Sequence, residues 1–186
     1  MAAEGLSDFH AAKRKAADRL MLPQAKNLPA NEEVEAALQE YLKLFHAERV
    51  TADLRHLRRV AVEAMQFLDA YEPRLVGPVL SGSITPGCEI QIHLSADTPE
   101  EIALALQEHG IPFEQAKRRT RFGGDRYENL PAYRFTADGA VVELCVFDRR
   151  SIRETPISPV DGKPMRRANL REIRDLLKQE PLAVRG

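Results

Sequence analysis

Apolar residues recur along this chain with two different periods, and the change from one to the other divides it. In the first part the spacing is helical. Val34, Leu38, Tyr41, Leu42 and Phe45 fall on one face after Asn31-Glu32-Glu33, a capping residue followed by an acidic first turn. Leu54, Leu57, Ala61, Ala64 and Leu68 form a second such face, with Thr51 as a candidate cap. A shorter helix is predicted from Phe9 to Leu22, stopped by Pro23. Its Lys13-Arg14-Lys15 run reads as a solvated face.

From Pro73 onward the alternation shortens. Leu75 to Leu80 is a short apolar run that ends at Ser81-Gly82-Ser83. Glu89-Ile90-Gln91-Ile92-His93-Leu94 alternates polar and apolar, the period of a strand with one buried face. Thr98-Pro99-Glu100-Glu101 is a capping box with proline at the first helical position, and Gly110 marks where that helix stops. Residues 111–122 read as a strand with a basic second half, Lys117 to Arg121. Two further strands, Ala132 to Thr136 and Ala140 to Phe147, flank the hairpin signal Asp138-Gly139. Residues 151–167 carry four proline or glycine dipeptides and read as a long loop, and loops of that length are often functional. Asn169 and Glu172 cap a last helix through Leu177. The order predicts an α+β fold, a mixed sheet of about five strands packed on helices. Residues 1–72 form its N-terminal helical segment and residues 73–186 its core.

Composition narrows the function classes. The chain has 186 residues, 30% charged and 44% hydrophobic, which suits a globular unit with its own core. No apolar run approaches the ~20 residues a membrane-spanning helix needs, and the first residues carry no apolar leader. Two cysteines, Cys88 and Cys145, are too few for a disulfide framework, so a reduced, cytoplasmic protein is expected. The net charge of -1 hides an asymmetry: positive charge gathers in the second half, mostly as arginine, whose planar fork matches phosphate. Nothing in the pattern indicates an oligomeric state.

Candidate chemistry lies in three places. Gly82-Ser83 is either a simple turn or a bend whose backbone N–H groups approach a phosphate. Glu89, Gln91 and His93 share one strand face because alternate residues point the same way. Glu143 stands alone inside the apolar run Val141 to Val146, where a carboxylate is costly unless paired or metal-bound. Should its strand neighbour Glu89, the two carboxylates with the Gln91 carbonyl would suit Mg²⁺. The basic strand Lys117 to Arg121, with Arg126 and Arg134, offers phosphate contacts, Arg119 and Arg121 first among them, although Arg118, Arg119 and Arg121 cannot all share a face. Phe122 and Tyr127 nearby are candidates to stack on a base.

An apolar strand, Gly-Ser, an acidic-x-acidic strand and a later lone carboxylate resembles, over roughly residues 74–147, the nucleotidyltransferases of the DNA polymerase β type. In that family Gly-Ser touches nucleotide phosphates and three carboxylates hold Mg²⁺. The resemblance implies Gly82 and Ser83 on a nucleoside triphosphate, and Glu89 and Glu143 on the metal. Gln91 stands where the second carboxylate is found, and the loop from Ser83 to Glu89 is shorter than the family's. If active, such a protein would let an acceptor hydroxyl attack the α-phosphate, with His93 as the nearest base. The neutral Gln91 implies instead a degenerate member that binds nucleotide without transferring it. A rival of another class is a non-catalytic RNA- or protein-binding module on the same fold. The stretches 12–17, 74–80 and 158–168 also resemble short bacterial proteins often labelled UDP-N-acetylmuramate–alanine ligases. That activity is excluded here, because Gly162-Lys163 precedes a proline in a loop and forms no phosphate-binding loop of the G-x-x-G-K-[ST] kind.

Overall fold

The computed structural model describes residues 9–19, 28–45, 47–149 and 154–179. They form six α-helices and one mixed five-stranded sheet. The helices are α1 (Phe9–Arg19), α2 (Asn31–Phe45), α3 (Ala47–Phe67), α4 (Gly77–Ser81), α5 (Pro99–Glu108) and α6 (Leu170–Gln179). The strands are β1 (Arg74–Val76), β2 (Ile90–Ala96), β3 (Glu114–Arg121), β4 (Tyr127–Ala137) and β5 (Ala140–Asp148), in the spatial order β1-β2-β5-β4-β3. Only β2 and β5 run parallel; the other neighbours are antiparallel. No described helix is long and apolar enough to cross a membrane. The predicted end of the first helix, at Leu22, lies outside the described residues.

Alternation in the strands separates the two faces. Ile90, Ile92 and Leu94 of β2, with Val142, Leu144 and Val146 of β5, point to one side. There they meet Val60, Ala61, Ala64, Met65 and Leu68 of α3, Ile102 and Leu106 of α5, and Ile173 of α6 in one buried cluster. Burying each large aliphatic side chain contributes about 1.5–3 kcal/mol, so this layer dominates the stability of the core. The helix α3 thus belongs to the core, although it precedes the change of pattern at Pro73. It also begins earlier than Thr51 suggests, because Ala47, Glu48 and Arg49 are strong helix formers and nothing there breaks the turn. The opposite face carries a smaller apolar cluster, Phe122, Leu130, Cys145 and Phe147. Above it along the strands are the polar residues of the candidate site.

Two local features fix the register. Asp138 and Gly139 both have positive φ, 45° and 75°, the requirement of the two-residue turn that follows strand twist. That turn pairs Ala137 with Ala140, and counting outward it pairs Arg134 with Glu143. The apolar run 75–80 is not one strand. At Gly77 (φ 70°) the chain turns out of β1, and Pro78 starts α4, where its missing N–H costs nothing. The predicted caps of the later helices are present. The Thr98 N–H donates to Glu101 Oε1 at 3.0 Å. The Glu172 N–H donates to Asn169 Oδ1 at 3.0 Å, while the Asn169 N–H donates to Glu172 at 2.7 Å. Residues 154–168 form the loop that proline and glycine predict. It starts at the β3 edge, where the Ile157 N–H donates to the Arg121 carbonyl, and ends at the β1 edge, where Ala168 bridges Leu75.

Candidate functional site

Three cross-strand rows build the polar face. Gln91, Glu143, Arg134 and Glu114 lie side by side in one row across β2, β5, β4 and β3. Arg74, His93, Cys145, Ala132 and Ala116 form the next. Arg118 and Leu130 pair in a third. All face away from the helices, because each alternates with a residue of the helix-covered layer.

At the centre is Glu143, a carboxylate with only 4% of its side chain exposed. Arg118 Nη1 donates to Oε1 at 2.6 Å. Arg134 donates to Oε2 twice, from Nε at 3.0 Å and from Nη2 at 2.8 Å. The same Nη2 donates to Glu89 Oε2 at 3.3 Å. The two predicted carboxylates therefore do converge on one face, no further apart than those two bonds laid end to end. What they share is a guanidinium. Glu143, by accepting from Arg134, holds that guanidinium above its ordinary pKa. Gln91 is beside them, its amide oxygen packed against the backbone at Gly77: a Cβ there would come within 2.7 Å of Oε1. The positive φ of 70° is what asks for glycine here, while the Gln91 amide would have to shift to admit a Cβ.

His93 is in the next row, buried and tilted against Phe147 with ring centroids 4.7 Å apart. Its Nδ1 has no hydrogen-bond partner among the described residues. Burial, then the positive charge of Arg167 and Arg118, pushes its pKa down to about 3. The imidazole is neutral at ordinary pH, and among the described residues no carboxylate is hydrogen-bonded to it. Arg167, from the end of the crossing loop, donates to Thr155 Oγ1 at 2.8 Å; burial and then Arg74 lower its pKa. Cys145 beside His93 is buried and its thiol is pushed up to about 12, chiefly by burial. Cys88 is raised to about 11 for the same first reason. Neither thiol is an activated nucleophile.

Four of the predicted site residues are thus gathered: Glu89, Gln91, His93 and Glu143. Gly82, Ser83, Arg119 and Arg121 are elsewhere. Gly82 (φ 87°) ends α4, its N–H donating to the Pro78 carbonyl at 2.8 Å. It lies against Leu54 and Arg58 of α3, on the helix side of the sheet. Ser83 is buried and accepts from Gln39 Nε2 of α2 at 2.8 Å. The glycine is there because a left-handed helix end requires it, and buried Arg58, donating to the Val79 and Leu80 carbonyls at 3.0 Å, completes that end. Arg119 and Arg121 fall on the alternate face from Arg118 and point away from the carboxylates. Sequence reasoning offered Arg118 and Arg134 as phosphate contacts but missed their pairing with Glu143, and it missed Gly77. For Arg134 a signal existed, since the Asp138-Gly139 turn places it opposite Glu143.

A divalent cation fits these residues poorly. A metal shared by Glu89 and Glu143 would have to sit where the Arg134 guanidinium lies, and Gln91 brings no charge to favour the exchange. Among the described residues no group of three or more His, Cys, Asp or Glu side chains is arranged to hold a metal ion. No protein-family model matches the chain, and no curated protein matches it.

Proposed function

We propose that this chain is a nucleotidyltransferase-like protein of the cytoplasm that binds the phosphates of a nucleoside triphosphate with arginine and does not transfer a nucleotide. The observation that carries this reading is the Glu143 carboxylate, saturated by Arg118 and Arg134, with Arg134 also bridging to Glu89. Nucleotidyl transfer asks for free carboxylates around Mg²⁺. Here an internal cation answers them, so Mg²⁺ on Glu89, Gln91 and Glu143 is not part of the reading. Arg74, Arg118, Arg134 and Arg167 bring four positive charges to this face, and Glu89, Glu114, Glu128 and Glu143 bring four negative ones. Arg118 and Arg134 keep 40% of their side chains exposed, enough for their outer N–H groups to meet a phosphate. His93, buried and neutral, serves as packing and not as a base.

ATP and GTP titrations in EDTA and in Mg²⁺, read by calorimetry and melting temperature, test this. A ligand at a hundred times its dissociation constant adds about 2.7 kcal/mol of stability. The expected result is stabilisation by nucleotide without Mg²⁺, lost in Arg74→Ala/Arg167→Ala. No stabilisation at millimolar nucleotide overturns the binding reading. Pyrophosphate release that needs Mg²⁺ and disappears in Glu143→Gln overturns the non-catalytic one.

A further inference from the structure

The face of β3 that turns away from the carboxylates carries Gln115, Lys117, Arg119 and Arg121, all exposed. On β4 their cross-strand partners on that face are Tyr133, Pro131, Asn129 and Tyr127. This is the side the helices cover elsewhere, but the cover ends at Tyr133, whose hydroxyl donates to the Pro99 carbonyl at the start of α5. Beyond it the hairpin projects with an open sheet surface. Lys117, Arg119 and Arg121 stand in a row there, and no acidic residue shares that face of β3 or of the β4 residues opposite them. Glu114 and Glu128 are on the other face by alternation.

Three cations at alternate strand positions are spaced about 7 Å apart, given a rise of ~3.3 Å per residue. A straight row of that interval suits an extended sugar–phosphate chain with one charge per nucleotide. An aromatic ring lies in the same row. Tyr127 is 50% exposed, and the Arg119 guanidinium carbon stands 4.3 Å from its ring centroid. A guanidinium layered on an exposed ring is a ready surface for an unpaired base, and sequence-tolerant single-strand binding combines such rings with a positive track. A duplex buries its base faces and would leave the ring unused.

We infer that the outer face of the β3–β4 hairpin, Lys117, Arg119 and Arg121 with Tyr127 and Asn129, is a docking surface for single-stranded nucleic acid. It is separate from the carboxylate–arginine site and does not depend on the nucleotide reading.

Fluorescence anisotropy of labelled U12 and dT12 with the full chain tests the surface, with a 12-base-pair duplex as control. Single strands are expected to bind more tightly than the duplex, with log K falling against log salt with a slope near -2, about -0.7 for each of three charges. Lys117→Ala/Arg119→Ala/Arg121→Ala should remove most of that slope. Tyr127→Ala should weaken binding about tenfold and leave the slope unchanged. Tighter binding of U12 than dT12 would identify RNA as the strand recognised, and the reverse DNA. All the altered side chains are exposed, so folding is preserved, and a circular dichroism melt of each variant verifies it. No binding at 50 mM salt, equal affinity for the duplex, or a triple variant that binds like the parent each overturns the inference. Nucleotide titration of the triple variant should match the parent, so failure here and failure at the other face are told apart.

Discussion

Replacing Arg134 by methionine should cost more than replacing the carboxylate it serves. Glu143 is 4% exposed and accepts three charge-assisted hydrogen bonds, two of them from Arg134 at 3.0 and 2.8 Å. Removing one partner of a buried ion pair typically costs about 3–5 kcal/mol, because the remaining charge is left without compensation. Two features reduce that figure. Arg118 keeps its bond to Oε1 at 2.6 Å, and Arg134 is 40% exposed, so water enters the space it leaves. Arg134→Met is therefore expected to destabilise by about 2–3 kcal/mol. Glu143→Gln leaves two guanidiniums that turn to solvent, and should cost only about 1 kcal/mol. Arg134→Met/Glu143→Leu, which removes the buried charge with its partner, should recover most of the loss. The assay is urea unfolding followed by circular dichroism, since the chain has no tryptophan. For a chain of this length the Arg134→Met loss corresponds to about 5–10 °C in Tm. An Arg134→Met protein within ~0.5 kcal/mol of the parent, or one more stable than Glu143→Gln, would refute the reasoning.

Three other outcomes follow from single residues. His93 is neutral in the fold with its pKa near 3, against ~6.5 when unfolded, so its contribution is complete above ~6.5 and lost as pH falls toward 3. Urea unfolding at pH 7 and pH 5 should show the parent losing about 1–2 kcal/mol more than His93→Leu; equal losses count against the buried neutral imidazole. Gly77→Ala meets both a positive φ of 70° and Gln91 Oε1, so it should cost about 1–3 kcal/mol, with Gln91→Ala restoring only the steric part; a full rescue would show that backbone conformation is not at issue. Asn169→Ala removes the oxygen that accepts the Glu172 N–H and should cost about 1 kcal/mol, read as a Tm lower by a few degrees.

The local sequence carried much of the architecture because its signals act over a few residues. Alternation in 89–94 marked β2 and its two faces, Asp138-Gly139 marked the hairpin, and Thr98 and Asn169 marked helix starts. Asn31 marked a third start one residue late, since Ala30 holds the cap position and the Asn31 amide donates to the Pro159 carbonyl. A turn, a cap or a strand period is settled by bonds within one or two turns of chain, so it is written where it acts. The same signals placed Glu89, Gln91 and His93 on one face, and a lone Glu143 in an apolar run already demanded a partner.

Which partner it met was decided in three dimensions. Arg118 is 25 positions away in sequence and reaches Glu143 only because β3, β4 and β5 lie side by side. Gly82-Ser83 looked like a phosphate bend because a glycine with positive φ serves a turn, a ligand loop or a helix end equally well. Only the placement of α4 against Arg58 made it a helix end. The split of the basic strand followed the same logic. Parity assigned Arg118 to one face and Arg119 and Arg121 to the other, but the helix layer, by ending at Tyr133, left the second face open. Short-range preference fixed the elements, while the pairing of distant charges waited on the packing that removed them from water.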